Sequence, residues 1–232
     1  DLQPGDRLTL RDALYSTLLG SDNVSALTIA SFVGRDLVSR RGSGTPIAAF
    51  VSEMNNLARS LRMTKTRFTA PHGLDAGNAV STSCALDMAL LGMYSMQNPA
   101  FCYIVSQASR RIGVQSQTKG TTMYDISNNN KMMSTPGVDG IKAGSSRAAG
   151  QCLLLSATRN AIARRSPQTG TEVIYPQRMI IAVLGTGERY SLARQMLNTG
   201  WRVWENWQAS GMDMKDPKEF VQLPVKSGTE KR

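Results

Sequence analysis

Residues 137–159 read GVDGIKAGSSRAAGQCLLLSATR, a single lysine framed by glycines and small residues and then an unbroken apolar run. Glycine is normally avoided inside a strand and is kept where a backbone or a ligand must approach closely. Lys142 therefore looks presented to a ligand from a strand edge. The run QCLLLSATR and the later RMIIAVLG (178–185) are nearly continuously apolar, as strands covered on both faces are. VDGIKAG, QCLLLSATR and RMIIAVLG are thus predicted to be strands. The segment between the last two, NAIARRSPQTGTEVIYPQ (160–177), is longer than a hairpin needs. It reads as a solvated loop carrying Arg164 and Arg165.

Upstream, FCYIVSQASRRIGVQSQTKGTTMYDI (101–126) has short β-branched and aromatic runs cut by glycine, which predicts hairpin strands. Before it the period is helical. Thr9 is a plausible N-cap for a helix whose Leu10, Ala13, Leu14, Thr17 and Leu18 share a face until Gly20. NVSALTIASFVG predicts a second helix ending at Gly34, and a third carries Ala49, Phe50, Met54, Leu57 and Leu61 on one side. The long connection TRFTAPHGLDAGNAVSTS (66–83) leads to a fourth helix, roughly Ser83 to Met96, capped by the cluster Ser81 to Ser83 and stopping before Pro99. The last helix, to about Trp207, turns Leu192, Met196, Leu197 and Trp201 inward.

Helices, then strands, then a closing helix describe an α+β chain. The expected domain spans 1–209, with a helical part about 8–97, a sheet part about 100–188 and a closing helix about 189–207. Residues 210–232 read as a polar, frayed tail.

The chain has 232 residues, room for one large domain or two small ones, and no apolar run long enough to span a bilayer. It opens on DLQPGDRLTL, without a basic start and apolar stretch, and so reads as a mature or trimmed product. A net charge of +10 favours acidic partners such as an anionic cell-wall polymer. No recognition-helix, zinc or aromatic RNA-binding signature accompanies it, so nucleic acid is not expected. Cys84, Cys102 and Cys152 are far apart, lie among apolar neighbours and read as buried free thiols; with one histidine, His72, they do not predict a metal site. No cofactor is expected.

The chemistry gathers at two places. Ser21, Asp22 and Asn23 form S-D-N after the first helix, and Lys142 to Gly144 form K-A-G on a strand. S-D-N and K-T-G are two of the three motifs of penicillin-binding proteins and class A β-lactamases. Around them, PGDRLTLRDALYSTLLGSDNVSALTIA, FVSEMNNLARSLRMTKTRFTAPHGLD, STSCALDMALLG and GVDGIKAGSSRAAGQCLLLSATR resemble the serine D-alanyl-D-alanine carboxypeptidases, the low-molecular-mass penicillin-binding proteins of the DacA type. The resemblance runs from Asp1 to Trp207.

It implies a β-lactamase/DD-peptidase-like fold: an antiparallel sheet flanked by helices, plus a helical subdomain. It also implies an enzyme that removes the terminal D-alanine of peptidoglycan stem peptides through an acyl-enzyme and that binds β-lactams. Ser21 would relay protons toward the leaving D-alanine, Asn23 would hold the acyl-side amide, and Lys142 would supply positive potential. Gly144 and Ser145 would line the strand edge, with the Ser145 N–H in an oxyanion hole. Arg189 would hold the terminal carboxylate, and Asn130 matches a family asparagine near the cleft. Location at the periplasm or the outer face of the cytoplasmic membrane follows from the same resemblance.

Two departures qualify the expectation. The family's nucleophile lies in an S-x-x-K that precedes S-x-N, whereas the S-x-x-K here, Ser116 to Lys119, follows it in a strand-and-turn context. The N-terminal portion with the nucleophile is therefore expected to be missing and residues 1–232 to be inactive alone. Ala143 stands where K-T-G has a threonine, a lost hydroxyl toward the substrate carboxylate. A non-catalytic peptidoglycan-binding protein, or a β-lactamase, are the alternatives.

Overall fold

A computed structural model describes residues 2–74, 80–165 and 170–211. In chain order it contains α1 (Leu10–Leu18), α2 (Asn23–Arg41), α3 (Pro46–Ser60), α4 (Ala85–Ser95) and α5 (Pro99–Val105). Strands β1 (Ser109–Ser116), β2 (Gly120–Ser127), β3 (Val138–Ser146), β4 (Gly150–Arg165) and β5 (Glu172–Thr186) follow, and α6 (Arg189–Ala209) closes the fold. β1 and β2 form a separate antiparallel hairpin, and β3-β4-β5 form an antiparallel sheet in that order.

The apolar run of β4 explains the layering. Leu153 and Leu155 pack toward Ala193, Leu197 and Trp201 of α6. Leu154, between them, packs with Ile141, Ala182, Met96 and Val105 on the opposite face. A sheet covered on both faces leaves no position for a polar alternate, hence the unbroken LLL.

Local signals account for several boundaries. The Thr9 hydroxyl accepts from the Asp12 N–H at 3.0 Å and starts α1. α2 runs through Gly34 to Arg41 instead of ending at Gly34, and stops where Gly42 takes φ +79° and its N–H reaches the Val38 carbonyl. Gly34 is a crossing point: a methyl there would collide with the Pro46 carbonyl of α3. The fourth helix begins at Ala85 after Cys84, which makes no side-chain cap bond. The expected capping serines act elsewhere, Ser81 accepting from the Thr69 N–H at 3.0 Å.

Residues 99–105 are helical, not strand. Pro99 occupies the first turn, and Asn98 accepts from the N–H groups of Ala100 and Phe101, so capping outweighs the β propensity of FCYIV. Much of the expected loop 160–177 is strand as well, since β4 and β5 pair out to Arg165↔Glu172, past the end of β3. This ribbon leans on α6: Trp204 donates to the Gln177 carboxamide at 2.7 Å, and Arg159 stacks on Trp201 and pairs with Glu205. On α6, Leu197 and Trp201 face inward, but Leu192 and Met196 are exposed. The three cysteines are free and only partly buried. Residues 75–79 of the long connection and the tail beyond Gly211 lie outside the described residues.

Candidate active site

The S-D-N corner and the lysine strand meet. The α1–α2 turn puts Ser21 at φ +61°, a left-handed backbone that a serine adopts only when its surroundings hold it there. Asp22 supplies the hold. Its carboxylate accepts from the N–H groups of Val24 (3.0 Å) and Ser25 (3.1 Å) and from the hydroxyls of Ser25 (2.5 Å) and Ser16 (3.1 Å). Partial burial pushes this carboxyl up, but the hydrogen bonds, led by Ser25, outweigh it and keep it below the ordinary carboxylate value.

From this turn Ser21 reaches β3. Its hydroxyl donates to the Ala143 carbonyl at 3.2 Å and accepts from the Lys142 ammonium. Lys142 also donates to the Ala143 carbonyl at 2.7 Å. Burial first, and then the charge of Arg189, push Lys142 from 10.5 down to about 8. A side chain so placed passes readily between ammonium and amine near neutral pH.

Arg189 begins α6 and anchors it to the sheet, donating to the Gly144 carbonyl at 2.6 Å and lying over the Tyr190 ring. Its Nε is buried and makes no hydrogen bond among the described residues. Asn23, the first residue of α2, is half-buried with its amide unpaired among them. Because the Ala143 carbonyl points off the sheet toward Ser21, the two-residue alternation of an edge strand turns the Ser145 backbone to the same side. Gly144 is exposed and a methyl there would meet nothing within 4 Å, so the sheet face is open beside it, and β3 is an edge strand among the described residues.

Other expectations change. Asn130 does not join the group: it is 2% exposed, and its amide bonds the Gly140 carbonyl and the Met132 N–H while starting a short 3-10 turn at Lys131–Ser134. It braces the start of β3. The Ala143 side chain is 3% exposed and packs in the α6-side core with Leu153 and Val183. A threonine hydroxyl would enter that core, so what this position turns toward Ser21 is its carbonyl.

Ser116 and Lys119 sit at the β1–β2 turn, off any helix. His72 accepts from the Leu74 N–H at 3.1 Å within its own loop, as a packing residue does. A depression of about 420 Å3 between α2 and α3 is lined by Val24, Leu27, Thr28, Ser31, Arg35 and Ile47. It contains none of the group, so convergent side chains and not cavity size identify the site.

Sequence reasoning missed the two residues that brace the corner. Asp22 sat inside a recognised motif without a role of its own. Asn129 donates to the Gly20 carbonyl at 2.8 Å, while its own carbonyl accepts from Tyr190 at 3.1 Å, tying the corner to α6. The asparagine run NNN (128–130), an uncommon cluster of side-chain amides between two strands, is the signal that could have drawn attention to it.

The same arrangement of elements recurs in known proteins. The chain is 28% identical over 211 residues to D-alanyl-D-alanine carboxypeptidase DacC of Escherichia coli, covering 88% of this chain and 44% of that one. With DacA of the same organism it shares 28% over 236 residues, covering 100% of this chain and 49% of the other. It thus spans about half the length of these curated relatives. A mutant of the Streptomyces K15 DD-transpeptidase superposes with a TM-score of 0.70 at 25% identity, over 87% of this chain and 71% of that structure. The α+β fold is therefore that of the DD-peptidases. The family model for D-alanyl-D-alanine carboxypeptidases, Peptidase_S11, matches residues 1–166, and the chain belongs to that family.

Proposed function

We propose that this chain is the substrate-binding and proton-relay part of a serine-type D-alanyl-D-alanine carboxypeptidase. The protein would act outside the cytoplasmic membrane on peptidoglycan stem peptides ending in D-Ala-D-Ala, and it would be acylated by β-lactams. One observation carries the reading: Ser21 and Lys142, 121 positions apart, are hydrogen-bonded at an open strand edge beside Arg189.

Each residue has a role that suits its surroundings. The peptide lies along β3 as an added strand, and the exposed edge at Gly144 lets its backbone approach. Its terminal carboxylate is drawn by the positive charge of Lys142 and Arg189, which lie close enough for Arg189 to act on Lys142. Asn23 holds the acyl-side amide. The Ser145 N–H stabilises the oxyanion together with the N–H of the nucleophile. Ser21 passes a proton between the nucleophile side and the departing D-alanine nitrogen. Lys142, at about 8, keeps that relay responsive near neutral pH.

The nucleophile itself is assigned to an S-x-x-K outside these 232 residues. A hydroxyl needs an adjacent base to attack, and Ser116 lies on a hairpin whose lysine is exposed in the turn.

The test is acylation of the protein by a labelled penicillin, with the modified serine mapped by mass spectrometry, alongside D-alanine release from a stem peptide. The reading expects label on an S-x-x-K serine outside this chain, loss of labelling in Lys142→Ala, and slow release of the acyl group. Label on Ser116 would overturn the assignment. Binding of stem peptide without acylation or D-alanine release would favour a non-catalytic wall-binding protein, the alternative that the position of Ser116 keeps open. Fast release of hydrolysed penicillin would make it a β-lactamase.

A further inference from the structure

The peptidase reading gives Ser21 a task but leaves unexplained how a serine is kept in a left-handed turn against the edge strand β3. Glycine adopts φ +61° freely; serine must be held there. Gly20, next to it, does not relieve the strain, because the positive φ falls on Ser21 itself.

We infer that Asp22 is a positioning residue whose carboxylate locks the α1–α2 turn and so keeps the Ser21 hydroxyl against Lys142. An ordinary N-cap satisfies one or two backbone N–H groups of its own helix. Asp22 does that for Val24 and Ser25 and also reaches back across the turn to the Ser16 hydroxyl on α1. Its backbone N–H bonds the Ser16 carbonyl at 3.2 Å, so the same two residues are joined twice.

Ser16 and Ser25 are buried, which leaves the carboxylate few other solvating partners. Oδ2 takes three donors, from Ser16, the Ser25 hydroxyl and the Ser25 N–H, and fixes the end of α1 to the start of α2. Between those anchors the chain turns through Leu19 and Gly20, and Ser21 takes the left-handed backbone that completes the turn. Its hydroxyl is then aimed at β3, where it meets Lys142 and the Ala143 carbonyl. Asp22 is assigned no contact with substrate; it acts through Ser21.

The inference rests on the peptidase reading for its consequence, though not for its geometry, and the test separates the two. In the protein that carries this chain, Asp22→Ala, Asp22→Asn and the control Thr45→Ala are compared. Thr45 is the N-cap of α3, away from the Ser21 corner, and its hydroxyl accepts from the Ala48 N–H at 3.4 Å. Its loss reports the effect of removing a cap alone. Asp22→Ala is expected to lower the saturating acylation rate by roughly 10- to 100-fold, the size of effect that an ångström of misplacement produces. Thr45→Ala should leave that rate unchanged at equal folded fraction, and Asp22→Asn, which retains an acceptor oxygen, should restore most of it.

A second readout does not need catalysis. The ε-methylene NMR signal of Lys142 should move in Asp22→Ala and stay close to wild type in Asp22→Asn. A wild-type protein that never acylates sinks the peptidase reading and leaves this signal to judge the turn. An unmoved Lys142 signal in Asp22→Ala, an acylation rate there equal to that of Thr45→Ala, or an Asp22→Asn variant as impaired as Asp22→Ala each overturns the positioning role.

Discussion

The turn after α1 and the turn between β1 and β2 each present a serine with a lysine in reach, and they are built in opposite ways. At the first, Ser21 sits in a left-handed backbone beside a carboxylate holding four donors. The Asn129 amide grips the Gly20 carbonyl, and the lysine comes from a different layer of the fold. At the second, Ser116 ends a strand, its hydroxyl accepts a 3.4 Å bond from the Thr118 N–H, and Lys119 is exposed at the hairpin tip. Proximity in sequence favours the second pair and proximity in space the first. A lysine acquires acid–base chemistry when burial and a neighbouring cation disfavour its charge, as at Lys142.

The widest separation between the two turns should appear in catalysis. Lys142→Ala is expected to reduce acylation by labelled penicillin roughly 10²- to 10⁴-fold, the range for a lost proton-transfer group. Ser116→Ala and Lys119→Ala should leave the rate within about twofold, as surface changes away from a site do. Equal losses at both turns would break the comparison.

Next in size is the effect of pH on stability. Lys142 titrates at about 8 in the folded chain against 10.5 ordinarily. Between those values the unfolded chain binds more protons at this position than the folded one. Stability therefore rises with pH from about 8 to 10.5, and the full penalty, of order 3 kcal/mol, is present below pH 8. Urea unfolding at pH 7 and pH 10 should show this contribution and its disappearance in Lys142→Met, which should also be more stable than wild type at pH 7.

A third change tests which face of β3 belongs to the groove. Ala143→Thr restores the residue usual at that place in the motif but sends its hydroxyl into the α6-side core. A cost of about 1–3 kcal/mol in chemical unfolding is expected for a buried hydroxyl without a partner. Tighter β-lactam binding at unchanged stability would reverse the assignment of that face.

The smallest effect separates strain from function. Ser21→Gly should relieve the left-handed backbone and raise stability by up to about 1 kcal/mol while acylation falls. Ser116→Gly, at an unstrained position, should not stabilise.

Much of the scaffold could be read without coordinates, because its signals are local. The Thr9 cap is a bond between residues three apart, and the LLL of β4 needs only a sheet covered twice. One reading failed locally, where the Asn98 cap and Pro99 outweigh the β propensity of FCYIV; others failed where a distant partner decided the outcome. Gly34 looked like a helix stop because its reason, the backbone of Pro46, lies on another helix. Leu192 and Met196 share a helical period with Leu197 and Trp201, but only the sheet beneath α6 determines which part of that face is covered.

The sequence alone established an α+β chain, a serine-bearing corner after the first helix and a glycine-framed lysine on a strand. These follow from backbone preferences and side-chain periodicity that act over a few residues. Tertiary structure decided that Ser21 and Lys142 touch, that Asp22 holds the turn between them, that Asn130 braces β3 from inside, and that Ala143 offers a carbonyl in place of a side chain. Except at Asp22, whose partners lie within six residues of it, each of those outcomes depends on burial or on contact between segments far apart in the chain, and neither exists until the layers have packed.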